Sequence, residues 1–499
     1  MEEELLDVTK KSGVVFIGRI IGVLFGLVFN FIVARYMGAE AYGRFMYVYT
    51  FISFFPIITR FGLDQGLVSF LPPLVDDNKV EERNGLITSS ILFTLITGFV
   101  LSTIIITNSK FIATNILNSP ELVDLIRYST PLLILLAFTQ LSRGIFRGIG
   151  IIKYFVQGQN ILTPIVKIAC IITFSFLGFK IYGILISFYI SLGLTSLYLF
   201  YKILKMGFLS SIKSINHGLL KDVFRFSFPL LLTGLLGFLI NRIDTFMIGY
   251  FLSDDKVGIY NIALRIGTMS SFILIAFNTM FAPMISSLHH KGEMDKLAAM
   301  YKIITKWILA INLVAFSIIL LFNRDIMHLF GKEFIAGSTA LVLISIGQVV
   351  NAGVGSAGYI NVMTGHPHYE LYTNILVVGM NVTLNYALIP NYGINGAAVA
   401  SLISVSLTNI IKLLLVYKDH KIHPYNFDYF KVVGSVTISF MLVYYLNNII
   451  QIFWLIKLLL LTFLFFVMTA IIYYFIGGLS TEDLLVLKKL VGKLYYRKK

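Results

Sequence analysis

Five cations stand in stretches of sequence that are otherwise apolar: Arg19, Arg60, Lys167, Arg242 and Arg265. Only two carboxylates, Asp64 and Asp244, share such stretches with them. An ionisable side chain in a hydrocarbon layer is costly unless it faces a cavity or a partner, so each of the seven is a candidate for function. Asp64 follows Arg60 by four residues, which places both on one helical face and allows the carboxylate either an ion pair with Arg60 or a coupling role. Asp244 follows Arg242 by two, about 200° around a helix, so these two cannot point at one partner. A lining with more cations than anions suits an anionic ligand, and the arginine fork matches phosphate oxygens. Asn30, Asn241, Asn351 and Asn381 both donate and accept hydrogen bonds, as contacts to sugar hydroxyls require; hydrogen bonding between helices is the competing role for each. Arg127, Lys412 and Lys457 lie nearer the ends of their runs, where a long side chain snorkels to the interface.

The elements that must position these residues are set by composition. Of 499 residues, 57% are hydrophobic and 13% charged, whereas soluble proteins average about 45–50% and 25%. Apolar runs long enough to cross a bilayer fall near 13–34, 45–67, 86–107, 122–142, 156–178, 182–201, 226–250, 257–282, 304–322, 336–360, 369–389, 393–416, 431–449 and 452–477. The chain is therefore expected to be an all-α polytopic membrane protein with about 14 transmembrane helices. Lys and Arg exceed Asp and Glu by 40 to 25, but basic loops on the cytoplasmic side account for that excess without a nucleic-acid partner. Counting Lys306 and Lys431 at the span edges, the even-numbered connections and the termini hold 25 basic residues and the odd-numbered connections seven. Both termini are accordingly expected in the cytoplasm. Glu2, Glu3 and Glu4 precede Lys10, unlike the basic start of a cleaved signal peptide, so the first run is expected to be retained.

The chain also repeats itself. Ala39-Glu40-Ala41-Tyr42-Gly43-Arg44-Phe45 parallels Asp254-Asp255-Lys256-Val257-Gly258-Ile259-Tyr260 at an offset of 215. Gly150, Lys153 and Tyr154 parallel Gly365, His368 and Tyr369 at the same offset, and Tyr182-Gly183-Ile184 parallels Tyr392-Gly393-Ile394 at 210. Six spans separate the copies, which predicts two parallel six-helix halves related by an axis along the membrane normal, a transporter architecture. The expected organisation is 1–205 and 226–420 for the halves, 206–225 for a cytoplasmic linker, 428–480 for two appended C-terminal helices and 481–499 for a basic cytoplasmic tail.

Several chemistries lack their residues. No Gly-x-x-x-x-Gly-Lys-Ser/Thr is present to cradle a nucleotide phosphate, so no cofactor is expected, and transport would need no energy or draw on a gradient, with Na+ or H+ as the candidate coupling ion. Cys170 is the single cysteine and His289-His290 reads as a solvated pair, so no metal site is expected. No connection exceeds about 25 residues, too few for an extramembrane catalytic domain, and no catalytic residue is assigned. Prolines Pro56, Pro131, Pro164 and Pro229 fall inside spans, where each permits a bend. Gly18, Gly22 and Gly26 in the first span recur at a spacing of four, as close helix packing requires.

The segment Val33-Ala34-Arg35-Tyr36-Met37-Gly38-Ala39-Glu40-Ala41-Tyr42-Gly43 resembles the "ARxLGxxxYG" opening of Wzx-type polysaccharide flippases of the multidrug/oligosaccharidyl-lipid/polysaccharide exporter superfamily. Phe226-Ser227-Phe228-Pro229-Leu230 and the 381–398 segment, with Asn385, Pro390, Tyr392-Gly393-Ile394 and Gly396-Ala397-Ala398, are similar to that family as well. The resemblance implies a protein of the cell membrane, not an enzyme, that moves an isoprenoid-diphosphate-linked oligosaccharide from the inner to the outer leaflet, working beside other polysaccharide assembly proteins. It also implies that Arg19 and Arg60 hold the diphosphate, as cavity arginines do in lipid II flippases. Two other readings compete. A cation-coupled multidrug antiporter of the same superfamily would want an acidic cavity rather than a surplus of Arg and Lys. An intramembrane enzyme acting on lipid-linked sugars would want paired carboxylates, and Asp64 and Asp244 fall in opposite halves.

Overall fold

The computed structural model describes residues 2–209, 217–450 and 453–478, with the side chains of 2–17, 19, 20 and 217 left out. Part of the 206–225 linker and the 481–499 tail lie outside the described residues. Every regular element among the described residues is helical. A chain in hydrocarbon must satisfy its backbone donors and acceptors within itself, and a helix does so within one segment. Large apolar side chains accordingly face outward, Phe176 and Phe475 each 81% exposed, which suits contact with lipid. The protein is a multi-span membrane protein.

Two helices are too long for one crossing. Glu2–Arg60 has 59 residues and Pro367–His420 has 54; at 1.5 Å per residue the shorter rises about 81 Å against a hydrocarbon core of about 30 Å. Each is broken at one glycine. Gly38 has φ 77° and ψ 175°, and Gly393 has φ 58° and ψ −140°, conformations that a Cβ forbids. Beyond Gly393 the chain turns back on itself, with Gly396 packed on the carbonyl of Leu388. Among the described residues, eleven helices are long and apolar enough to cross a membrane, and the pair Pro120–Ser129 and Leu132–Gly148, bent by 47°, makes twelve if it is one span. Two of the eleven being double, all fourteen apolar runs are accounted for.

Other breaks have local causes. The 47° bend falls at Pro131, as its missing N–H dictates. A π-helical segment, Val156–Leu162, precedes Pro164, one extra residue per turn easing the fit of the proline ring. The 257–282 run divides into Asp254–Gly267 and Ser271–His290. There the Thr268 hydroxyl donates to the Leu264 carbonyl at 2.7 Å and that of Ser271 to the Thr268 carbonyl at 2.7 Å, competing with the helical ladder. The 45–67 run is not continuous as expected: it breaks at Phe61 and Gly62, both with positive φ, and resumes as Leu63–Asp76. Gly62 is pressed against the backbone of Ser227, a tertiary constraint that the local sequence does not encode.

The described chain forms two compact units. One runs to Ile262 and takes in Leu329–Ala336 and Val378–Ala397; the other holds Ala263–His328, Gly337–Val377 and the chain from Ala398 on. In the first, Leu63, Leu67, Leu71, Phe146, Leu199 and Val223 build a core. In the second, Phe281, Ile285, Tyr301, Val354 and Val416 do so.

Candidate functional site

Two polar centres in the first unit stand inside apolar surroundings. One is built around Asp244, which lies mid-helix in His217–Phe251 and is 6% exposed. Its Oδ2 accepts the hydroxyl of Tyr260 at 2.8 Å and its Oδ1 accepts Asn385 Nδ2 at 2.7 Å. The same Nδ2 donates to Asn381 Oδ1 at 2.7 Å, one turn earlier on its helix. Tyr260, Asn381 and Asn385 are all buried. Asn385 Oδ1 is buried and accepts no hydrogen bond. A carboxylate, two amide oxygens and a phenol thus gather where the backbone is already helical, and one oxygen is left over. Such an oxygen-rich set is suited to a hard cation or a proton.

The other centre holds Lys167, half-buried on Thr163–Phe176 just beyond the π-helical segment. Its Nζ sits 4.3 Å from the ring centroid of Phe29 and 4.5 Å from that of Phe188, so two aromatic faces share the ammonium. Next to Phe29, the buried Asn30 accepts the hydroxyl of Tyr42 at 2.8 Å and donates to the Gly26 carbonyl. Its amide therefore holds the first and second spans together.

Arg60 and Asp64 are joined, Nη1 to Oδ2 at 3.2 Å, but not along one helical face. They flank the Phe61–Gly62 break, and Arg60 Nε also donates to the Pro56 carbonyl at 2.8 Å. The pair staples two helix ends. Arg242 is half-buried, whereas Asn241 is exposed and donates to the Gly237 carbonyl at 2.6 Å. Arg265 and Asn351 belong to the second unit, where Asn351 Nδ2 donates to Gln348 Oε1 at 3.3 Å. The side chain of Arg19 lies outside those described. Lys412 does not snorkel alone: its Nζ is 2.6 Å from Glu370 Oε1, because the long helix doubles back at Gly393 and brings residues 42 apart together. Tyr260 and Asn385 are the partners that reading charges alone misses. The signal for Tyr260 was its place in the repeated segment after the seventh span.

The family described as polysaccharide biosynthesis protein matches residues 8–289. The chain belongs to that family. A second family, MatE, matches residues 229–387. Among this family member's relatives is a protein of Haloferax volcanii named probable flippase AglR, 29% identical over 34% of this chain and 36% of that one. Another from the same organism, named probable low-salt glycan biosynthesis flippase Agl15, is 24% identical over 40% of this chain and 43% of that one. The chain thus spans well under half the length of these curated relatives. Among solved structures, a multidrug resistance MATE family transporter in an inward-facing conformation matches with a TM-score of 0.68, 19% identity and coverage of 80% of this chain and 94% of that one. The lipid II flippase MurJ, in an inward closed conformation, matches with a TM-score of 0.67, 16% identity and coverage of 95% and 99%. At these identities the likeness is one of fold.

Proposed function

We propose that the protein is a flippase. It carries an isoprenoid-diphosphate-linked oligosaccharide from the inner to the outer leaflet of the cell membrane by alternating access, for surface polysaccharide or glycan assembly, with both termini in the cytoplasm. The observation that carries this reading is the coexistence, in one unit, of a membrane-embedded ammonium at Lys167 and a membrane-embedded carboxylate at Asp244. The first, with Arg242 as a second half-buried cation of the same unit, supplies the charge an anionic diphosphate requires. The second gives a driving cation a place to bind: Asp244, Asn381, Asn385 and Tyr260 would hold Na+ or H+, and the unused Asn385 Oδ1 fits such an occupant. Bound there, the ion would offset the buried carboxylate and link occupancy to conformation. Flippase names among the relatives support this reading. So does coverage, since the lipid II flippase likeness takes in 95% of the chain and the MATE likeness 80%. The multidrug antiporter remains the alternative for the same fold.

The test measures membrane abundance and surface glycan together in cells carrying Lys167→Ala with Arg242→Ala. Glycan lost while abundance holds supports a substrate role for these cations. Normal export by the double variant would sink the proposal.

A further inference from the structure

Near the start of the second span, Gly43 meets Gly258 in a crossing that is symmetric by residue. A Cβ on Gly43 would strike the carbonyl of Asp254 and lie 2.8 Å from the nitrogen of Gly258; one on Gly258 would strike the carbonyl of Ala39 and lie 3.0 Å from the nitrogen of Gly43. Gly43 and Gly258, like Ala39 and Asp254, stand 215 residues apart. Each copy of the repeated segment thus rests on the other through the same pair of positions, as two-fold related surfaces do.

Charge breaks the symmetry. Arg44 has Ile259 at its equivalent position, 2% exposed. The Arg44 guanidinium reaches Glu40 at 2.8 Å, Glu121 in the connection between the third and fourth spans, and Asp254 at 3.2 Å in the connection between the seventh and eighth. Further bonds join the same end. Tyr47 donates its hydroxyl to the Leu117 carbonyl at 3.1 Å, and the Ala39 N–H donates to Glu333 Oε2 at 2.8 Å. A cavity of about 420 Å³, lined by Glu40, Arg44, Glu121, Asp254 and Asp255 among others, opens beside the guanidinium. Four odd-numbered connections are therefore tied at one end of the unit, and a single cation bridges three carboxylates, one on its own segment and two on other connections.

We infer that Arg44 is the pin of an ionic latch that holds this end of the first unit closed over the Gly43–Gly258 crossing. Glycine lets the two backbones touch without interlocking side chains at the crossing itself, and the charge network beside it resists their separation. With Arg44 34% exposed and Glu121 69% exposed, ions from solution reach the network, and the latch weakens as salt rises. The inference rests on the transporter reading only in that a transporter must open this end. Its test needs no substrate, so either can fail alone.

The probe is the Ile262→Cys substitution, at a position 1% exposed and one turn beyond Gly258, in a full-length chain that also carries Cys170→Ala and is reconstituted in lipid nanodiscs. Its reaction rate with a water-soluble maleimide reads opening. Between about 0.1 and 1 M NaCl the screening length falls from about 10 to 3 Å, and labelling should quicken on the order of fivefold, the scale a partly exposed charge network supports. Arg44→Gln should be fast at both salt concentrations, because it removes the pin itself. Salt-independent labelling of the parent overturns the latch, and this readout stands even if Arg44→Gln fails to fold. Arg44→Gln labelling as slowly as the parent overturns it too.

Discussion

The Lys167 and Asp244 centres occupy related places in the two copies of the repeat, yet they carry opposite charge. At an offset of 214, Asp244 corresponds to Asn30 and Lys167 to Asn381. Each copy therefore has one amide and one ionisable group, with the ionisable group on the fifth span in one copy and on the seventh in the other. Their surroundings differ accordingly. The ammonium rests on two aromatic faces, which attract it without using its hydrogen-bond donors. The carboxylate is fixed by two directed hydrogen bonds, its Tyr260 and Asn385 partners being fully buried. The cation is contacted by ring faces, whereas the anion accepts a phenol and an amide. In sequence, the repeated pattern thus carries a cation in one copy and an anion in the other.

Making the copies alike is the sharpest way to break this comparison. Asp244→Asn copies Asn30 and keeps the shape; ion-driven transport in proteoliposomes should fall about a hundredfold, because a charged partner for the ion is gone. A variant that still responds to the ion gradient would deny Asp244 its role. Lys167→Asn copies Asn381 and should cost roughly ten- to a hundredfold in apparent affinity for a polyprenyl-diphosphate sugar while leaving the ion response in place. Loss of both together would instead mean that the two centres act as one. Tyr260→Phe removes one hydrogen bond to a charged acceptor, worth about 1.5–3 kcal/mol, and should shift the gradient required for half-maximal transport by about tenfold or more. An unchanged gradient requirement would make Tyr260 a mere packing group.

The smallest expected effect concerns pH. Burial pushes the Asp254 carboxyl above the usual carboxylate range; Arg44 opposes this, and Glu121 and Glu40 add to it. Tyr47 also faces Asp254, and Asp255, Lys256 and Tyr250 are other titratable groups close by. A carboxyl that holds its proton more tightly when closed than when open favours closure as pH falls through the carboxylate range, with no change near neutrality. Labelling of the Ile262→Cys probe, normalised to free cysteine at each pH, should slow by about twofold on mild acidification. Faster labelling in acid would reverse the sign and point to loss of the Arg44 bridges instead.

The spans were legible because hydrocarbon demands uninterrupted apolar runs, and Gly38 and Pro131 marked their breaks for plain backbone reasons. Phe61 was not legible. Nothing in Arg60-Phe61-Gly62 requires a positive φ at phenylalanine, and the close packing of the next residue, Gly62, on the Ser227 backbone is a contact of the fold. The charges likewise announced themselves by type, since few ionisable groups lie in lipid, while their partners did not. Asn385 is 141 residues from Asp244, and only the fold brings them together. Lys412 failed for the same reason: its distance from Glu370 is long in sequence and short across a doubled helix.

That doubling has a consequence for biogenesis. Between Pro390 and Gly393 there is no hydrophilic loop, only one residue in a conformation reserved for glycine. The eleventh and twelfth spans then have no separate moment at which to choose an orientation, and the second inherits its direction from the first. They should leave the insertion machinery as a preformed hairpin. A long polar linker placed after Asn391 would let each integrate by itself. If that insertion leaves membrane integration and topology as they were, as read by protease protection during synthesis, the spans enter one at a time and the glycine shapes only the finished protein.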